Sequence, residues 1–96
     1  MHMSLSLPAD LPALCRAHDI TYLGLFGSYA RQEAGQTSDI DLIVQFGSPK
    51  SLLRVIATEE ALSEAFTRQV DLVTEAALSP YLRERILAEV QVLYAA

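Results

Sequence analysis

Three aspartates stand where aspartate is out of place. Asp39-Ile40-Asp41 opens the run Asp-Ile-Asp-Leu-Ile-Val-Gln-Phe, and Asp71 interrupts Val-Asp-Leu-Val. Strands are depleted in aspartate, so an Asp-x-Asp amid Ile, Leu and Val needs a reason. Same-face neighbours on a strand lie roughly 7 Å apart, a span that two carboxylates bridge through metal ions. Without a cation between them they repel, and each raises the other's pKa. Mg²⁺ suits them: a hard ion that takes oxygen ligands and shares them with substrate phosphates. A solvent-facing acidic pair on an edge strand is the plainer alternative, and the apolar setting argues against it. Taken singly, Asp71 also fits a surface aspartate at a strand start. If Asp71 shares the Asp41 face on a neighbouring strand, three carboxylates converge. Two metal ions about 3.5–4 Å apart then clamp an in-line displacement at phosphorus. Asp71 is then either a metal ligand or the base that accepts the hydroxyl proton, and the sequence leaves both open.

Gly27-Ser28 adds a second kind of chemistry. A glycine between strand and helix lets a phosphate approach the backbone, because no Cβ stands in the way. The helix N-terminus offers free N–H groups to an anion. The Ser28 hydroxyl can donate to a phosphate oxygen. Arg31, about one turn on, can reach a triphosphate or pair with a nearby acid. Strand–Gly–Ser–helix turns are common, so this signal counts only beside the aspartates.

These residues need elements to hold them. Leu11 to Ala17 reads as a helix, with Asp10 as cap, Pro12 in the first turn, and Leu11, Leu14 and Cys15 inward. Ile20 to Phe26 reads as a strand ended by Gly27-Ser28. Tyr29 to Glu33 is a short helix and Ala34 to Thr37 a loop. From Asp39 to Phe46 the chain alternates, with Ile40, Leu42, Val44 and Phe46 on one face and Asp39, Asp41, Ile43 and Gln45 on the other. Ser48 and Pro49 offer a cap and first residue for a helix to about Phe66, with Leu52, Val55, Ile56, Leu62 and Phe66 as its stripe and a potential break near Thr58. Gln69 to Thr74 is a third strand. Ser79-Pro80 starts a last helix with Leu82, Ile86 and Leu87 inward. Val90 to Tyr94 extends that helix or forms a fourth strand, and its composition favours the strand.

Composition narrows the classes. The chain has 96 residues, the size of one domain, and residues 1–96 are read as one. It is 51% hydrophobic, which fits either a tight α/β core or apolar surface that covers a partner. A net charge of −5, with Lys50 the only lysine and six scattered arginines, argues against unaided binding to DNA or RNA. Cys15 is the single cysteine, so no internal disulfide and no cysteine-based zinc site forms. No apolar run reaches the ~20 residues of a membrane span, and the N-terminus lacks the pattern of a signal peptide. A cytoplasmic protein is expected. Residues 1–7 are expected to be flexible, and Met1-His2-Met3 fits a native start or a cloning remnant ahead of Met3. His2 and His18 show no ligand spacing. Tyr29 is open to stacking on a base or packing on the sheet; Tyr81 and Tyr94 read as core or interface residues.

Leu25-Phe26-Gly27-Ser28-Tyr29-Ala30-Arg31, Ser38-Asp39-Ile40-Asp41-Leu42 and Val70-Asp71-Leu72-Val73 together resemble the polymerase-β-like nucleotidyltransferase superfamily. More narrowly, they resemble its minimal nucleotidyltransferases, the MntA-like antitoxin partners of HEPN toxins. The resemblance runs from about residue 20 to the C-terminus, including Ser79-Pro80 through Val92-Leu93-Tyr94. One departure is Gln32, where the family often has glycine, and a changed loop is expected there. The resemblance implies an α/β (α+β) nucleotidyltransferase fold, a small mixed β-sheet with helices packed on one face. It implies Asp39, Asp41 and Asp71 as catalytic, Mg²⁺-binding residues of a two-ion site. It implies Gly27, Ser28 and Arg31 as the nucleotide phosphate site, with ATP as substrate. Its activity would be transfer of AMP to a tyrosine of a partner HEPN ribonuclease toxin, with no direct nucleic-acid or membrane partner. The alternative is an antitoxin that neutralises its partner by stoichiometric contact alone. Transfer to RNA or a small molecule is disfavoured by the scarcity of basic residues and the lack of a second domain.

Overall fold

Ile20–Phe26 and Ile40–Phe46 are strands β1 and β2 in the computed structural model, which describes residues 5–35 and 37–96. The first helix, α1 (Leu11–Ala17), precedes them, and a single helical turn, α2 (Gly27–Ala30), links them. Helix α3 (Leu52–Phe66), strand β3 (Val70–Thr74), a 3₁₀ turn (Glu75–Ala77), helix α4 (Pro80–Glu89) and strand β4 (Gln91–Ala95) follow. The strand-like tail is therefore a strand. The sheet order is β3-β2-β1-β4. β1 runs antiparallel to both of its neighbours, and β2 runs parallel to β3. A parallel pair needs a crossover of a dozen or more residues, and α3 supplies it.

The expected alternation decides the two faces. Leu23 and Leu25 of β1, Leu42 and Val44 of β2, and Val70 and Leu72 of β3 are buried in one cluster with Leu11 and Cys15 of α1 and Leu62 and Phe66 of α3. Leu14 packs partly against it. Ile43 is buried on the other face, opposite Gly24 in the β1–β2 register. A Cβ at Gly24 would collide with the Val90 side chain, so the glycine is what lets the α4–β4 junction close over that face.

Several local expectations are corrected. Ser51, not Ser48, caps α3: its Oγ accepts from the Arg54 N–H at 3.3 Å. The Ser48 hydroxyl is engaged elsewhere, donating to Asp19 Oδ2 at 3.2 Å and accepting from Lys50 Nζ at 3.0 Å. Helix α3 runs unbroken through Thr58, whose buried hydroxyl donates to the Arg54 carbonyl one turn back. In its first turn Leu52 is 74% exposed, while Val55 packs partly against the core. In α4, Leu82 and Leu87 are exposed and no residue is fully buried. The short second helix covers Gly27–Ala30, not Tyr29–Glu33, because Gly27 at φ 75° turns the strand directly into it. It stops where Gln32 takes the left-handed conformation, φ 59°. That is the position at which the family often has glycine, and the positive φ explains the preference. Asp10 stands at the cap of α1 without a side-chain bond.

Residues 1–4 and Gln36 lie outside the described residues, and so does part of the segment expected to be flexible. Leu5 packs partly against the core.

An edge strand needs its outward N–H groups answered. On β3 they are answered by α3. Ser63 Oγ accepts from the Val70 N–H at 3.0 Å, and Glu59 Oε2 accepts from the Leu72 N–H at 2.8 Å. Four residues of helix rise about 6 Å and two residues of strand about 6.6 Å, so the two acceptors match the two donors. This pairing fixes the position of Asp71 between them.

Candidate active site

The register brings the aspartates together. Asp41 is directly opposite Asp71 in the parallel β2–β3 ladder and opposite Phe26 in the antiparallel β1–β2 ladder. Directly paired residues share a face, and neighbouring strands are only about 4.8 Å apart. Asp39 stands one residue ahead of β2 and is exposed, Asp71 is exposed, and Asp41 is half-buried. Asp39 and Asp71 are within hydrogen-bonding reach of one another. Asp39, expected inside the strand, lies just ahead of it, beside Asp71.

The electrostatics record the crowding. Partial burial pushes the Asp41 carboxyl above the ordinary aspartate range, and the charges of Asp71 and Asp39 push it further, against the pull of Arg31. Asp71 is raised too, by desolvation first, then by the charges of Asp39 and Glu59 and its hydrogen bond to Asp39. A cation would relieve all of these repulsions at once. The donor set is oxygen only, which fits Mg²⁺. Among the described residues no group of three or more His, Cys, Asp or Glu side chains forms a metal cage on its own. Mg²⁺ does not require one, because it is bound through one or two carboxylates with phosphates and waters completing its shell.

Gly27 abuts this cluster. A Cβ there would run into Asp41 Oδ2, and φ 75° already disfavours any side chain. Backbone and carboxylate are thus in direct contact where β1 turns into α2. Ser28 is half-buried in the same turn. Tyr29 is buried in the core with the Arg68 guanidinium 5.9 Å from its ring centroid, which is the packing alternative rather than an exposed stacking platform. Tyr94 also packs partly against the core, whereas Tyr81 is exposed.

Arg31 takes the ion-pair alternative in this structure. Its Nη1 donates to both carboxylate oxygens of Glu89, at 3.3 and 3.2 Å, and its Nε lies 3.4 Å from Glu33. Glu89 Oε1 also accepts from the Gly27 N–H at 3.2 Å. Glu89 and Glu59 are the site residues that sequence reasoning missed. Each reaches its partner by long-range folding, 62 and 13 residues away, with no motif to announce it.

A cavity of about 640 Å³ opens near the opposite end of β2, lined in part by Val44, Phe46, Lys50, Val55 and Arg83. It contains none of the three aspartates, and the chemistry belongs to the carboxylate end of the sheet.

The family model described as "Polymerase beta, Nucleotidyltransferase" matches residues 11–96. The protein adenylyltransferase MntA of Thermococcus cleftensis is 41% identical over 84 residues, covering 88% of this chain and 85% of that relative. A crystal structure of a toxin–antitoxin with AMP-PNP superposes with a TM-score of 0.78 at 24% identity, over 91% of this chain and 72% of that one. A tri-AMPylated Shewanella oneidensis HEPN toxin in complex with its MNT antitoxin gives a TM-score of 0.69 at 22% identity, over 91% and 68%. At these identities the two structures establish the shared fold.

Proposed function

Since the chain belongs to the polymerase beta nucleotidyltransferase family, we propose that it transfers AMP from ATP to a tyrosine hydroxyl of a HEPN-type ribonuclease toxin. The observation that carries this reading is the side-by-side pairing of Asp41 with Asp71 against the backbone of Gly27. Kinship with a named protein adenylyltransferase, and likeness in fold to HEPN toxin complexes, support the acceptor.

The residues divide the work as follows. Asp39, Asp41 and Asp71 would hold Mg²⁺, which supplies charge neutralisation at the transferring phosphoryl group and at the leaving pyrophosphate. Gly27 gives the phosphates access to the backbone, and Ser28 donates its hydroxyl to a phosphate oxygen. Arg31 takes up part of the triphosphate charge. The acceptor hydroxyl attacks the α-phosphorus, its proton passing to Asp71 or to water, and the bond to the bridging oxygen breaks. AMP left on the toxin adds bulk and negative charge, which repels RNA phosphates.

ATP as substrate and a lone, buried, free Cys15 favour the cytoplasm. Among the described residues no helix is long and apolar enough to cross a membrane.

A second reading has its own support: neutralisation by contact alone. Leu52, Leu53, Tyr81, Leu82 and Val92 are exposed, and the net charge is −5. Co-expression of the toxin with the Asp39→Ala, Asp41→Ala variant separates the two. Transfer predicts loss of protection and of toxin-dependent pyrophosphate release. Protection retained by the variant would establish contact inhibition.

A further inference from the structure

We infer that Glu89 is an internal anion that competes with the nucleotide's phosphates for the donors of the Gly27–Arg31 turn. The inference rests on the reading above, in which that turn cradles the triphosphate. Glu89 Oε1 accepts from the Gly27 N–H at 3.2 Å, and both of its oxygens accept from Arg31 Nη1 at 3.2–3.3 Å. One carboxylate thus engages a backbone amide and a guanidinium together, the pair of donors that a phosphate oxygen seeks there. Two anions cannot share that donor set without repulsion, so the phosphates enter as the carboxylate leaves. Asp41 sharpens the competition, since its carboxylate also lies against Gly27 and already feels Glu89 as a like charge.

The contact is built to be displaced. The Arg31 side chain is 47% exposed and that of Glu89 31%, so solvent and ligand both reach it. Glu89 is the last residue of α4, a helix with no fully buried residue, and its release disturbs no packed core. The contact satisfies the Gly27 N–H and restrains the arginine.

The test is calorimetric titration of the Mg²⁺ complex of a non-hydrolysable ATP analogue into the parent protein, Glu89→Gln and Glu89→Ala. Circular dichroism confirms that each is folded. Removing the competing charge at a partly exposed site predicts about three- to tenfold tighter binding in both variants. Binding equal to that of the parent overturns the inference. So does weaker binding, which would make Glu89 a support that orients Arg31 for the nucleotide. If the parent and both variants all fail to bind the analogue, the nucleotidyltransferase reading itself falls and the inference falls with it. A parent that binds while the variants show no gain sinks the inference alone.

Discussion

Gly27 and Asp41 restrict one another. The backbone at Gly27 adopts φ 75°, and the Asp41 carboxylate fills the space that a side chain would occupy. Gly27→Ala therefore incurs a left-handed penalty of about 1–2 kcal/mol and must displace Asp41 as well. We expect a melting temperature lower by roughly 5–10 °C and at least a tenfold loss of transfer, read by calorimetry and turnover. Asp41 and Asp71 give a pH signature. Both carboxyls are raised above their ordinary value of 3.8, so the folded state holds protons that the unfolded chain has released. The stability this confers is fully present below the ordinary value and is lost as pH rises through the raised folded values. Asp71→Asn should flatten that decline when its melting curve is compared with the parent's between about pH 4 and pH 7. Mg²⁺ should stabilise the parent more than this variant, and transfer should fall as acid protonates the same carboxyls. A Mg²⁺ effect equal in both proteins would remove Asp71 from the metal site. The aspartates were legible in the sequence because charged residues inside apolar strands have few structural explanations. Glu89 was not, because nothing in its neighbourhood distinguishes it from any acid at a helix end.

Among the elements, the edge strand β3 depends on α3. Its outward Val70 and Leu72 N–H groups are answered by Ser63 and Glu59 of α3. Glu59→Ala leaves the part-buried Leu72 donor unpaired, at a cost of about 1–3 kcal/mol, whereas Glu59→Gln keeps an acceptor and should lose less. Chemical denaturation of the two variants checks the order. At the end of α2, Gln32 occupies a left-handed position, and Gln32→Gly should gain about 0.5–1 kcal/mol after the added flexibility of the unfolded chain is charged against it. The same denaturation series reads that gain. β2 and β3 were readable from alternation, because a sheet imposes a period of two, and β1 from its β-branched and aromatic composition. The inward faces of α3 and α4 were less so. Helical spacing marks which side of Leu52, Leu82 and Leu87 is apolar, but not whether anything covers it. Likewise Ser48 and Ser51 both offered a cap, and only the fold commits Ser48 to Asp19 and Lys50.

For the molecule as a whole, the carboxylate cluster sits beside the β1–α2 turn, while exposed apolar side chains crowd α4 and the start of α3. Such exposed apolar side chains offer a surface on which an acceptor that is itself a protein can dock. The central claim is that the paired aspartates modify that protein and do not merely accompany its binding. Intact-mass spectrometry of a HEPN-type toxin, incubated with this protein, ATP and Mg²⁺, tests it most directly. The account predicts a gain of one or more AMP units on the toxin that is absent with the Asp39→Ala, Asp41→Ala variant. An unmodified toxin held in a stable complex would contradict it, and would show that neutralisation proceeds by contact while the three aspartates stand idle.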